Sequence, residues 1–462
     1  MSEKLLRFRT AFMLFGSLLL VVLMAGATMA QGVTTSSING VVTDDKGSVL
    51  PGATVVAIHT PSGTRYGTTT NATGRYTFPA VRIGGPYELT VSYVGFQERK
   101  RTILSADLGV PVVANFTLAE EGQQLNEIVV TAPGGIIDSE RNGASTNIKR
   151  ESFERLPTIS RSFSDFSALT PQAGPGFSFG GRSNLYNNFS IDGATSNNVF
   201  GLSATPGGQS NAQPIGIDAI QEISVSLSPY DVSQGSFTGA GVNAVTRSGT
   251  NEFQGSAYGF TKNQSLVNKK VDGRDVSLGN FSYNNAGFRL GGPLIRNKLF
   301  FFVNGEYEKS VVPAVTFPAD GRDERGVAFQ QTSSELGRLR DFLVTPNNGK
   351  SWTFDPGTFN NFDVPTQSLK FLAKIDWNIS DQHKFTIRYN QLNSFRDVAI
   401  SNSGGFGSAP TGQRQNNNNA LPFSNSWYRI NNNLRNIIGE LNSTFASGKL
   451  ANQLQVGYSA FR

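Results

Sequence analysis

The fold is decided by residues 368–391, which read SLKFLAKIDWNISDQHKFTIRYNQ. Two runs within this stretch, 368–377 and 384–391, place an apolar residue at every second position. One face of the first run carries Leu369, Phe371, Ala373, Ile375 and Trp377, and the other carries Ser368, Lys370, Leu372, Lys374 and Asp376. A period of two is that of a β-strand, and the polar stretch between the runs predicts a tight turn.

Two kinds of sheet give this alternation. Transmembrane strands of about 9–11 residues have one apolar face and one polar face, and Trp377 and Tyr389 fit the aromatic girdles of such a barrel. A soluble sheet with one buried face has the same pattern, so alternation alone leaves both alternatives open.

Loop lengths favour the membrane alternative. Seven strands are expected near 252–260, 283–291, 299–307, 368–377, 384–391, 434–445 and 452–460. Their connections alternate between long (261–282, 308–367, 392–433) and short (292–298, 378–383, 446–451). Long loops at one end and tight turns at the other are typical of outer-membrane barrels, and they are rare in compact soluble domains. Because bacterial barrels have an even number of strands, residues 251–462 predict a partial barrel that forms no working pore alone.

The first 30 residues have the layout of a signal peptide. Basic residues near the start are followed by an apolar run over 12–24 and by small residues up to Ala30. Cleavage is expected after Ala30 or Ala27. An uncleaved membrane anchor is the alternative.

Composition argues against several classes of function. The chain has 462 residues, a net charge of +6, no Cys and two His. Disulfides and a multi-histidine metal site are therefore excluded. We find no clustered basic face for a nucleic acid, no catalytic triad and no phosphate loop, so no enzyme activity, cofactor, metal or nucleic-acid partner is expected.

Residues 36–118 predict a small antiparallel β-sandwich, because short β-prone runs alternate with turn clusters. Gly40 to Thr43, Leu50 to Val55, Thr73 to Tyr76 and Tyr93 to Phe96 resemble the carboxypeptidase regulatory-like domain. That resemblance implies no peptidase. Carbohydrate binding is often associated with this fold, but no residue here argues for it.

A short β-prone run at 125–132 lies between a polar linker and a Pro-Gly-Gly break. A lone strand with unpaired edges suits strand addition by a partner. The run resembles the TonB box, through Glu127, Ile128, Val129, Val130, Thr131 and Ala132. The resemblance implies that a periplasmic TonB-type protein pairs with it and pulls on it. The other interpretation is an ordinary exit strand of the sandwich.

Residues 134–250 are rich in Gly, Ser and Asn and resemble the plug domain of TonB-dependent receptors. Expected features are helices at 151–157 and 162–169, an Ile strand over 217–225 and a Gly-rich strand over 239–249. The motif residues are Arg182, in an expected strand, and the turn Ile191, Asp192 and Gly193. The family places a mixed α/β plug inside a 22-stranded barrel. The segment 229–235 and the stretch 291–302 resemble the Oar-like branch, whose ligands are poorly defined.

These features predict an all-β dominated TonB-dependent receptor of the bacterial outer membrane. The expected partners are a TonB-type coupling protein, outer-membrane lipid and an unknown ligand, either an oligosaccharide, a peptide or a metal chelate. A surface adhesion or secretion-associated protein without import is the alternative, and a secreted soluble β-protein is a third reading.

Overall fold

The computed structural model describes residues 33–121, 145–156, 158, 161–197, 210, 212–229, 234–235, 237–268, 270–271, 274–275, 281–313, 320, 332–346, 352–359, 362–398, 423–445 and 450–462. We name three bodies in this part of the chain. They are the N-terminal sandwich (33–121), the central unit (145–249) and the wall sheet (254–461). Among the described residues, no helix has the length and apolarity needed to cross a bilayer.

The N-terminal sandwich consists of two four-stranded sheets. Its strands are β1 (Ser36–Asp44), β2 (Thr54–His59), β3 (Thr64–Thr69), β4 (Arg75–Val81), β5 (Tyr87–Ser92), β6 (Arg99–Ile103), β7 (Pro111–Val113) and β8 (Phe116–Leu118). The core of the sandwich is formed by side chains at every second strand position. On β5, for example, Tyr87, Leu89 and Val91 point inward and are fully buried. The antiparallel prediction was wrong in one place: β7 and β8 return along β1 in the same direction and pair with it in parallel.

The central unit is built on a five-stranded mixed sheet in the order β13-β12-β15-β14-β9. Its strands are β9 (Ser145–Lys149), β10 (Ala173–Gly174), β11 (Ser178–Phe179), β12 (Asn188–Ile191), β13 (Ala194–Thr195), β14 (Ile220–Ser226) and β15 (Gly241–Thr246). Two short helices, α1 (Arg150–Arg155) and α2 (Phe163–Ser167), lie where the sequence predicts them. Ser162 caps α2 through a capping box with Asp165, and this places Phe163 and Phe166 in the core.

The wall sheet contains all seven predicted strands, in sequential antiparallel order. They are β16 (Gln254–Asn263), β19 (Ser282–Ile295), β20 (Leu299–Pro313), β21 (Asp363–Asn378), β22 (His383–Val398), β23 (Tyr428–Phe445) and β24 (Leu450–Phe461), with the small hairpin β17 (Lys270–Val271) and β18 (Arg274–Asp275) after β16. Most are several residues longer than expected. The alternation of long and short connections is as predicted, and the longest contains helix α3 (Ser333–Val344).

The two faces of the wall sheet have opposite chemistry. On β21, Leu369, Phe371 and Trp377 are 49%, 39% and 41% exposed, whereas Lys370, Lys374 and Asp376 on the other face are buried. A soluble sheet buries its apolar face, so this exposed apolar face fits a bilayer. The structure therefore favours the membrane alternative and describes a partial barrel wall.

The N-terminal sandwich lies at the end of the wall that has the short connections. Asn378 Nδ2 donates to Thr64 Oγ1 at 2.9 Å, and Asn251 N–H donates to Pro61 O at 2.8 Å. Arg65 and Asp381 form an exposed ion pair at 3.8 Å. The three bodies therefore meet at one end of the wall sheet.

Candidate functional site between the central unit and the wall

The site is centred on the turn that follows β12. Asp192 has φ +44° and Gly193 φ +77°, a left-handed conformation that Gly adopts freely and Asp tolerates. The turn directs the Asp192 carboxylate toward the end of β15. There Oδ1 accepts from Thr246 N–H at 2.7 Å and Oδ2 accepts from Thr246 Oγ1 at 2.6 Å. The predicted Ile-Asp-Gly turn is thus present, and its carboxylate is fixed from within the central unit.

The wall provides two cations that face this carboxylate. Arg388 Nη1 lies 2.7 Å from Asp192 Oδ2, and Lys374 Nζ donates to Thr246 O and Oγ1 at 3.3 Å. Lys374 and Arg388 are direct cross-strand partners on β21 and β22. Like charges placed opposite each other destabilise a sheet. An anion between the two bodies offsets this repulsion, and Asp192 provides it.

The pKa of Asp192 reflects this arrangement. Burial raises the pKa of the carboxyl, but the charges of Lys374 and Arg388 and the two bonds from Thr246 outweigh burial and hold it below its usual value. Asp192 therefore remains ionised at neutral pH, and the ion pair persists over the physiological range.

Further polar contacts join the central unit to the wall. Ser210 Oγ and Ser394 Oγ are 2.7 Å apart, and Asn390 Nδ2 donates to Pro214 O at 3.5 Å. A smaller apolar part of the interface is formed by Phe302 and Leu372, which pack into the core of the central unit. An interface dominated by hydrogen bonds and charge can re-form with water when the two surfaces separate.

A second buried carboxylate connects the central unit to the N-terminal sandwich. Glu222 Oε1 accepts from Leu108 N–H at 3.0 Å and from Asn147 Nδ2 at 2.7 Å. Lys149 Nζ lies 2.8 Å from Asp107 in the same interface. Burial raises the pKa of Glu222 to about 7, although the bond from Leu108 acts in the opposite direction.

We expect Glu222→Gln to stabilise the protein at pH 8 by about 1–3 kcal/mol and to leave it almost unchanged at pH 4.5. The folded pKa of about 7 lies above the ordinary 4.5. Stability is therefore lost as pH rises from about 4.5 through 7, because folding in this range must take up a proton or bury a charge. Glutamine keeps the acceptor and removes the charge.

The measurement is the urea midpoint at both pH values, followed by proteolysis of the full chain. Glu151→Gln is the matched control, because it removes an exposed carboxylate from the same unit. Equal effects of Glu222→Gln at the two pH values would contradict the prediction.

The structure brings together only part of the predicted site. Ile191, Asp192 and Gly193 form the turn described above. The strand expected at Arg182 was wrong: β11 ends at Phe179, and Arg182 lies in an exposed turn after two glycines with positive φ. A turn forms there because Gly180 and Gly181 adopt left-handed conformations that end the strand. The coupling residues 127–132 lie outside the described part of the chain.

Sequence reasoning missed Lys374, Arg388, Thr246 and Glu222 as members of these interfaces. The signal for the first two was present, since both occupy the polar face of strands joined by a short turn. The register of that hairpin sets them opposite each other. Local sequence gave no comparable signal for Glu222, whose partners are 75 and 114 residues away.

His59 and Ser62 lie close enough for a shared proton, but their role is structural. His59 Nδ1 lies 2.6 Å from Ser62 Oγ, but Ser62 is fully buried. Burial and the charge of Arg82 lower the pKa of His59 to about 3, so this histidine is neutral. Within the described ranges, no group of three or more His, Cys, Asp or Glu is placed to hold a metal ion.

Comparison with known proteins agrees with this architecture. Residues 37–119 match the carboxypeptidase regulatory-like domain, and residues 245–317 match an outer membrane beta barrel domain. The chain is homologous to the TonB-dependent transporter Oar of Myxococcus xanthus. The two are 26% identical over 390 residues, which are 80% of this chain and 34% of that protein. The chain thus spans about a third of the length of that relative.

Two solved structures are also similar. One is the outer membrane transporter YddB from Escherichia coli, with a TM-score of 0.44, 14% identity and coverage of 68% of this chain and 38% of that chain. The other is a mutant of the ferric enterobactin receptor PfeA from Pseudomonas aeruginosa, with a TM-score of 0.42, 13% identity and coverage of 69% and 41%. The homology to Oar and the barrel domain place the protein in the bacterial outer membrane.

Proposed function

We propose that this chain belongs to a TonB-dependent receptor that takes up a bound ligand across the outer membrane, with the central unit as its plug. The observation that carries this proposal is the ion pair of Asp192 with Arg388, next to the charge of Lys374. This ion pair attaches the central unit, which has its own five-stranded sheet, to the polar face of a wall whose other face is apolar. A stopper held by charge and hydrogen bonds can be released without unfolding the wall.

The route of an applied force supports the same function. The coupling segment 127–132 lies between the end of the sandwich and β9. Tension on that segment passes to the sandwich on its N-terminal side and to β9 on its C-terminal side. Strand β9 is an edge strand of the central sheet, paired only with β14 among the described strands. Because β9 is five residues long and lies at an edge, peeling it away breaks only its pairing with β14 among the described strands.

Peeling β9 has a defined consequence. Asn147 leaves Glu222, and Lys149 leaves Asp107, so the contacts between the central unit and the sandwich weaken together. The outer membrane holds no ATP, and such work must come through a partner. Strand addition at 127–132 by a TonB-type protein supplies that connection.

The proposed partners are a TonB-type protein, outer-membrane lipid along the apolar wall face, and a ligand that is an oligosaccharide, a peptide or a metal chelate. No catalytic step is part of the proposal. Similarity to a transporter favours import over the adhesion or secretion-associated alternative.

We expect a photocrosslinking side chain at Val130, in the full-length protein and in living cells, to give an adduct with a TonB-type protein. The physical reason is that strand addition brings the partner backbone within one strand spacing, about 4.8 Å. The same side chain at the exposed strand residue Glu88 is the control. Equal yields at Val130 and Glu88 would contradict the proposed coupling.

A further inference from the structure

A cavity of about 300 Å³ lies where the sandwich, the central unit and the wall meet. At about 30 Å³ for each water, it has room for roughly ten water molecules. Its lining draws on all three bodies, including Arg82 from the sandwich, Thr246 and Arg247 from the central unit and Lys374 and Arg388 from the wall. A molecule bound there would contact every part of the assembly.

The charge of the lining is strongly positive. Six basic residues line it, namely Arg82, Arg150, Arg247, Lys374, Lys384 and Arg388. Three acidic residues oppose them, namely Asp192, Asp376 and Glu440. Two of the acids are already engaged, because Asp192 contacts Arg388 at 2.7 Å and Asp376 contacts Arg82 at 3.5 Å. Arg150 is paired with Glu154 outside the lining at 2.9 Å, and the other five basic residues still outnumber the three carboxylates.

Buried guanidinium groups in this lining retain unused donors. Arg388 is 1% exposed, and its Nε and Nη2 have no hydrogen-bond partner among the described residues. Arg82 Nη1 is likewise without one. Buried polar groups are normally satisfied, and an unpartnered buried donor costs about 1–3 kcal/mol. These donors therefore point to a ligand that accepts hydrogen bonds.

Arg247 is another buried guanidinium in this lining. It follows β15 and is 6% exposed, and within the described ranges its side chain makes no ion pair or hydrogen bond. Burial lowers its pKa and the charges of Arg289 and Arg150 lower it further, while those of Glu154 and Asp218 act in the opposite direction. A guanidinium nevertheless remains protonated at neutral pH, so Arg247 is a buried cation near charges of both signs.

We infer that this cavity binds a phosphate group through Arg247, Arg388 and Arg82. Guanidinium donors match the oxygens of phosphate in pairs, and such charge-assisted bonds are stronger than those of neutral acceptors. A bound dianion offsets the excess positive charge and joins the three bodies in the docked arrangement. Because it binds only that arrangement, phosphate stabilises it in proportion to its concentration.

The inference is tested with inorganic phosphate on the full-length protein in detergent, by calorimetric titration at constant ionic strength. We expect one site, and we expect Arg247→Gln to weaken binding about tenfold or more, as for loss of one charged hydrogen bond. Lys384→Gln, a milder change in the same lining, is expected to weaken it less. Lys100→Gln removes an exposed charge elsewhere and serves as the control for net charge.

A parallel titration with phosphatidic acid in mixed micelles distinguishes free phosphate from a lipid headgroup. Binding in either titration that Arg247→Gln or Lys384→Gln weakens, and Lys100→Gln does not, supports the site. Absence of binding in both titrations would overturn it. An affinity that stays at the parent value in all three variants would also overturn it. Neither result bears on crosslinking at Val130, which tests the proposed function separately.

Discussion

Replacing Asp192 with alanine is expected to weaken the docking of the central unit on the wall by about 3–5 kcal/mol, which is the usual cost of removing one partner from a buried ion pair. Arg388 would remain 1% exposed and lose its counter-charge. Lys374 would still lie directly across the sheet from it. Thr246 would lose both of its bonds to the carboxylate.

The measurement uses an introduced thiol, since these 462 residues contain no Cys. Ser210 is fully buried against Ser394, so Ser210→Cys reacts with a maleimide only when the central unit leaves the wall. The urea concentration at half-maximal labelling then reports docking. Asp192→Ala is expected to lower that midpoint strongly.

Two variants control the result. Asp381→Ala breaks the exposed pair with Arg65 and is expected to cost no more than about 1 kcal/mol. Arg388→Met in the Asp192→Ala background removes the unpaired charge and is expected to recover much of the loss. If Asp192→Ala and Asp381→Ala shift the midpoint equally, the ion pair does not hold the central unit in place.

The wall sheet could be predicted from sequence because its signal is local. Alternation over 368–377 sets Lys374 and Leu369 on opposite faces without any knowledge of tertiary contacts. The short turn before Lys384 then fixes the hairpin and its register. The strands proved longer than predicted because pairing continues past the cleanly alternating residues, into segments such as 363–367 and 392–398.

Contacts between residues far apart in the sequence could not be predicted in the same way. The parallel pairing of β7 and β8 with β1 depends on how the chain returns after β6, and no local period encodes that path. Asp192 was singled out through its turn, but its partner Arg388 lies 196 positions further along the chain. Arg182 was misplaced because Gly180 and Gly181 were interpreted as part of a strand, although both adopt positive φ.

The central claim is that pulling on residues 127–132 displaces the central unit from the wall. Val129→Pro tests the first step, which is strand addition by the partner at 127–132. Proline removes a backbone donor and cannot continue an added strand. Thr131→Val is the matched control, since it changes a side chain and keeps the backbone donor. Strand addition relies on main-chain hydrogen bonds, so this control is expected to keep coupling.

The most direct measurement is the rate of maleimide labelling of Ser210→Cys in energised cells that produce the full-length protein in complex medium. We predict that Val129→Pro lowers this rate roughly tenfold, to the level seen with a proton uncoupler, whereas Thr131→Val leaves it near that of the parent. A labelling rate that stays high in Val129→Pro cells, or that the uncoupler does not lower, would contradict the account.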